Sequence, residues 1–188
     1  MPKSAKDFID IELVQKQLEM AADAHGQSAA SRFFKHTSGC LRHLRSLQFD
    51  SPLEVTFWIW WHAVEASYAW LTPTVTLQHQ HEIDVNGERF RLDFFVDIEP
   101  ELASQLRRAG LSWPLIAVEV DGHEFHERTR EQVACRDRRD RALQQAQWKV
   151  FHFSYAEFTN RPEACVREVW EFVANIYHDL HYTMNHTT

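Results

Sequence analysis

Apolar residues recur along this chain first at helical spacing, then in alternation, and each pattern predicts an element. From Ala5 to Met20, Phe8, Ile9, Leu13 and Leu18 fit one face of a helix. The loop after it holds Gly26, Gly39 and several Ser, and carries Arg32, Lys35, His36, Arg42, His43 and Arg45. Ser51-Pro52-Leu53-Glu54 opens a second helix: Ser51 caps it, Pro52 suits the first helical position, and Glu54 can complete a capping box. Its body, VTFWIWWHAVEASYAW, is apolar nearly all round, which predicts burial, and Thr72-Pro73 stops it.

Strand patterns follow. Thr74 to Ile83 alternates weakly and leads to Asn86-Gly87, a hairpin signal. From Arg89 to Ile98, Phe90, Leu92, Phe94 and Val96 take one face, with Arg91, Asp93 and Asp97 on the other. Pro114 to Asp121 is a near-continuous apolar run ending in acids, which suits a central strand covered on both sides. Between these two, Glu101 to Ala109 reads as a short helix or an insertion. Arg128 to Gln147 has the composition of a helix, Trp148 to Ser154 that of a strand. Pro162 begins a last helix with Val166, Val169, Trp170, Val173, Ile176, Tyr177 and Leu180 at helical spacing. The order α-β-β-β-α-β-α predicts an α/β fold, a mixed central sheet flanked by helices. Residues 1–50 would form the N-terminal helix and basic loop, 51–160 the core, and 161–188 a C-terminal helix packed on it, in one domain.

Composition narrows the class. A chain of 188 residues, 44% hydrophobic and 25% charged, is long enough for one packed core and too apolar for disorder. The longest apolar runs, near FWIWW and LIAVEV, are too short to span a bilayer. The opening MPKSAKDFIDIELVQ acquires acids early and lacks the apolar run of a signal peptide, so a cytoplasmic location is expected. Cys40, Cys135 and Cys165 form no C-x-x-C pair and read as buried or inert thiols. The net charge of −7 argues against binding nucleic acid by bulk positive charge, yet a local basic surface beside a carboxylate cluster would give the same total.

The chemistry concentrates at the end of the third strand. Glu119 and Asp121 are two apart, so both side chains leave one face of an otherwise apolar strand. Two ionised carboxylates there are costly without a cation or strong donors. Asp93, on the polar face of the preceding strand, converges with them if the two strands are neighbours. Three carboxylates with water completing the shell describe a Mg²⁺ site, with Mn²⁺ as a substitute. The bland alternative is that Asp121-Gly122 simply turns the chain after the strand.

The segment VEVDGHEFHERTREQVACRDRRDRALQQAQWKVFHFSYAEF resembles the PD-(D/E)XK nuclease superfamily, and within it the very-short-patch-repair endonuclease-like, DUF559-type branch. The resemblance rests on E-x-D-G at Glu119, Asp121 and Gly122, and on a following His, His123 or His126. It continues in a helix with Asp137, Asp140, Arg141 and Leu143, and a strand with Trp148, Val150 and Phe153. Asp93 matches the superfamily's first acidic motif, and Glu54 the acid many members carry on the helix before the sheet. The likeness covers about Ser51 to Phe158 and implies a restriction-endonuclease-like core, α-β-β-β-α-β, and Mg²⁺-dependent hydrolysis of DNA phosphodiester bonds. Asp93 and Glu119 would hold the metal, with Asp121 and Glu54 assisting and the Val120 carbonyl as an extra ligand. The superfamily's usual lysine is replaced by Asp121, which leaves the water-activating residue to His126 or Lys149.

Other features carry two readings each. Arg138, Arg141 and Lys149 would contact DNA phosphates; the competing reading of the arginine-rich helix is a solvated face with i,i+4 pairs such as Asp137 to Arg141. The basic loop from Arg32 to Arg45 would contact a DNA backbone or be plain solvated surface. His79 and His81, alternate residues of a strand, would face one way as surface residues rather than as a metal pair. Trp58, Trp60, Trp61 and Trp70 read as core rather than a base-stacking platform. Two rival functions use the same features: an inactive nucleic-acid-binding module on this fold, and an interaction protein that docks through the Trp-rich helix and the C-terminal amphipathic helix, the latter, at Trp170 and Val173, also the route to any oligomer.

Overall fold

The computed structural model describes residues 49–68, 70–71, 74–121 and 130–186, together with residues 16, 19 and 20 in a helical stretch. Most of the predicted N-terminal helix, the stretch Arg32 to Arg45, Cys40, Thr72-Pro73, Gly122, His123, His126 and Arg128 lie outside the described residues.

Helix α1 (Pro52–Glu65) is followed by a hairpin, β1 (Val75–Val85) and β2 (Glu88–Ile98), then by α2 (Pro100–Arg108) and β3 (Ile116–Asp121). Next come α3 (Arg130–Gln145), β4 (Lys149–Ser154), α4 (Tyr155–Asn160) and α5 (Pro162–His186). The four strands form one mixed sheet in the order β1-β2-β3-β4, antiparallel except for the parallel pair β3 and β4. The expected α/β architecture with helices flanking a mixed sheet is therefore present, and Glu101 to Ala109 resolves as helix α2.

Helix α1 begins as predicted. The Ser51 hydroxyl accepts from the Glu54 N–H at 3.2 Å, while the Glu54 carboxylate turns back to the N–H of Asp50, one residue before the cap, at 3.1 Å. Ten of its residues are buried, as its apolar circumference requires. It ends at Glu65, earlier than expected, and a 3-10 turn takes Ala66–Tyr68. The turn lets Leu71 become fully buried and stacks Tyr68 on Trp170 at 5.3 Å, contacts a straight helix would forgo. Helix α4 went unforeseen, although Ser154 and Glu157 form its N-terminal cap, Ser154 accepting from the Glu157 N–H at 3.3 Å.

Asn86 and Gly87 take φ of 56° and 83°, the left-handed pair that a two-residue hairpin turn needs, and Asp84 accepts from the Gly87 N–H at 2.9 Å. Within the hairpin one expectation fails. Phe90 and Leu92 pack with Leu143 on the α3 side, whereas Phe94 and Val96 pack with α1 and α5 on the other. The four do not share a face because the alternation breaks at Gln80 and Asp93. Gln80 has φ of 50°, and the ladder pairs His79 with Phe94 and His81 with Leu92, passing over the position between. The same break separates the two histidines: His79 meets Phe49 and Trp58, and His81 stacks on Phe95 across the sheet.

The main core lies between the sheet and helices α1 and α5, where Trp61 and Trp170 meet at 4.4 Å. Trp58, Trp60 and Trp61 belong to it, but Trp70 is 59% exposed and leans edge-on against Tyr177. Trp170 and Val173 are fully buried in this core, so the face of α5 offered above as a docking surface is occupied within the chain. Of the thiols, Cys165 is buried and Cys135 is exposed, and both are free. No helix among the described residues is long and apolar enough to cross a membrane.

Candidate functional site

Strand β3 is doubly covered, as its apolar run predicts. Ile116, Val118 and Val120 enter the main core and Ala117 faces α3. By alternation Glu119 and Asp121 also face α3, and their partners confirm it. The Arg139 guanidinium lies 2.9 Å from Glu119, and Arg136 lies 3.9 Å from Asp121. Backbone pairing between β2 and β3 stops at Phe94 and Val118. Just beyond it the Asp93 carboxylate accepts from the Val120 N–H at 2.8 Å, so a side chain replaces the next rung. That bond fixes Asp93 beside the backbone joining Glu119 to Asp121.

Glu54 enters from the opposite side of the sheet. The unusual conformation of Gln80 brings its side-chain amide to Glu54, which accepts at 2.5 Å. Glu54 thus ties the start of α1 to the break in β1.

Three of these carboxyls are held above their ordinary range. Glu119 is 3% exposed, and burial followed by the charge of Asp93 raises it to about 8, against the pull of Arg139. Burial raises Asp93 to about 6, opposed by the Val120 N–H and by Arg139. Glu54 rises to about 7 through burial and then the charge of Asp93. The charge of Asp93 acts on both Glu119 and Glu54, and that of Asp121 on both Asp93 and Glu119, so the four acids form one electrostatic cluster. Among the described residues, one of its atoms, Glu119 Oε1, is buried without a hydrogen-bond partner.

Helix α3 supplies the basic side. Arg136, Arg139, Asp140 and Leu143 share a face by their spacing, and Leu143 is fully buried against the sheet. The inward arginines are therefore Arg136 and Arg139. Arg138, chosen above, is paired with Glu88 of β2, and Arg141 is exposed. Lys149 is not brought to the carboxylates. It sits at the start of β4 opposite Ile116, with its ammonium 4.8 Å from the Phe151 ring and 5.3 Å from Phe172. The β4 residue opposite Glu119 is His152, whose Nε2 lies 3.7 Å from Asp140. Burial lowers the His152 pKa, which favours the neutral imidazole. The signal for Arg136 and Arg139 was present in their spacing from Leu143, while that for His152 needed the parallel register.

Among the described residues, no three His, Cys, Asp or Glu side chains already stand as a ready-made metal-binding group. The near oxygens of Glu119 and Asp93 are engaged by Arg139 and by the Val120 N–H. The donor set nevertheless suits a hard divalent cation in kind: carboxylate oxygens in excess of arginines, two of them, Glu119 Oε1 and Asp140 Oδ1, buried without a hydrogen-bond partner among the described residues. Compared with known proteins, the chain matches no family model, no curated protein and no solved structure.

Proposed function

We propose that this protein is a divalent-cation-dependent nuclease that hydrolyses DNA phosphodiester bonds on a restriction-endonuclease-like, PD-(D/E)XK core. The observation that carries the reading is the convergence of Asp93 with Glu119 and Asp121 through the Val120 N–H, beside the unpartnered Glu119 oxygen. Asp93 and Glu119 would hold Mg²⁺ or Mn²⁺, with Asp121 and Glu54 assisting. When bound, the cation supplies a Lewis acid for the scissile phosphate and acidifies the attacking water.

The chain's own groups have separate tasks. Arg136 and Arg139, nearest the acids, bind the phosphate by charge and by planar donor geometry. Arg141, exposed on the same helix, extends the basic surface along the DNA backbone. Two histidines stand as acceptors for the proton of the attacking water: His152, opposite Glu119, and His126. Single His152→Gln and His126→Gln variants separate them by which one alters the pH–rate profile. The reading is tested by incubating supercoiled plasmid with the protein in Mg²⁺, in Mn²⁺ and in EDTA. Nicked or linear product is expected only with a cation. Absence of product with both cations, together with no stabilisation of the protein by either, rejects the enzyme.

A further inference from the structure

Arg139 stands where an incoming cation would have to act. Its Nη2 is 2.9 Å from Glu119 Oε2, and only 19% of its side chain is exposed. A guanidinium can satisfy a carboxylate with two parallel bonds, yet here a single close contact forms. Among the described residues, Glu119 Oε1 has no hydrogen-bond partner, and neither does the buried Arg139 Nε, which lies 3.7 Å from Asp140 Oδ1. The pair is thus buried but incompletely bonded on both sides. Such a pair holds charge in place without the geometry that would make it a permanent strut. Four carboxyl groups, Asp93, Glu119, Asp121 and Asp140, surround Arg136 and Arg139, so the acids of the centre outnumber its arginines.

Resting on the metal-dependent reading above, we propose that Arg139 is a built-in counter-ion occupying the carboxylate centre until a divalent cation displaces it from Glu119. The exchange couples two events. Cation entry neutralises Glu119, and the released guanidinium becomes free to meet a substrate phosphate. The wild-type protein accordingly binds cations more weakly than its carboxylates alone would allow.

Manganese binding, followed by the loss of the free Mn²⁺ electron paramagnetic resonance signal, tests this without any turnover. Arg139→Gln is expected to bind Mn²⁺ at least about tenfold more tightly than wild type, since it removes a positive charge beside the ligand oxygen. The gain should vanish in the double variant Arg139→Gln, Glu119→Gln. Equal or weaker binding by Arg139→Gln, with wild type still binding through Glu119, overturns the counter-ion and leaves the metal centre standing. No binding by either protein overturns both. Should Arg139→Gln fail to fold, titrating wild type with Mg²⁺ decides the matter through the side-chain Nε resonance of Arg139, assigned with Arg139→Lys. A shift as Mg²⁺ saturates supports displacement, and an unmoved resonance overturns it.

Discussion

Replacing Glu119 by Gln keeps the side chain's shape and removes its ability to ionise, and this should change how stability depends on pH. In the folded protein Glu119 is raised from 4.5 to about 8. An acid with a raised folded pKa holds its proton more tightly when native, so unfolding releases protons and stability falls as pH rises between the two values. At 1.36 kcal/mol per unit, the loss assigned to Glu119 alone between about pH 5 and about pH 7.5 is on the order of 3 kcal/mol. Asp93, raised to about 6, and Glu54, raised to about 7, push in the same direction. The assay is urea unfolding in EDTA at both pH values, followed by tryptophan fluorescence. Wild type should lose stability on going to the higher pH, and Glu119→Gln should be spared about 2–3 kcal/mol of that loss. Parallel pH curves for the two proteins would refute the claim that burial strains this carboxyl.

Other perturbations probe the frame around the site. Gln147 ends α3 with φ of 61°, and the Trp148 N–H reaches back to the Leu143 carbonyl at 2.9 Å; Gly110 closes α2 in the same way with φ of 71°. Gln147→Gly should therefore raise stability by about 0.5–1 kcal/mol in chemical denaturation. Trp170→Ala should cost about 3–5 kcal/mol, because its fully buried ring packs on Trp61 and Tyr68. Asp93→Ala leaves the Val120 N–H without its acceptor and should cost about 1–3 kcal/mol, whereas Asp93→Asn, which can still accept, should cost less. Equal losses for the two Asp93 variants would show that this bond does not anchor the strand ends.

The parts legible in the sequence were those set by local periodicity and by chemistry at fixed spacing. Alternation and helical spacing gave the element order, Ser51 and Pro52 marked the start of α1, and Asn86-Gly87 marked the hairpin. Glu119 and Asp121 had to share a face, and Asp93 could join them once β2 and β3 paired. Long-range geometry hid the rest. A left-handed Gln80 has no residue signature, since glycine or asparagine is the usual occupant, so the change of face between Leu92 and Phe94 was invisible. His152 became a neighbour of Glu119 only through the parallel register of β3 and β4. Arg136 and Arg139 were readable in principle, because their spacing from Leu143 places them on the buried face of α3, whereas Arg138 and Arg141 lie off that face.

The central claim is that the Asp93, Glu119 and Asp121 centre cleaves DNA with a divalent cation. Its most direct measurement compares wild type with Glu119→Ala, purified identically, on supercoiled, linear, single-stranded and mismatched DNA in Mg²⁺. Wild type should cleave at least one of these substrates, with EDTA abolishing the reaction and Glu119→Ala reducing it by at least about a hundredfold. Equal cleavage by the two proteins, or none by wild type on any substrate, would contradict the account.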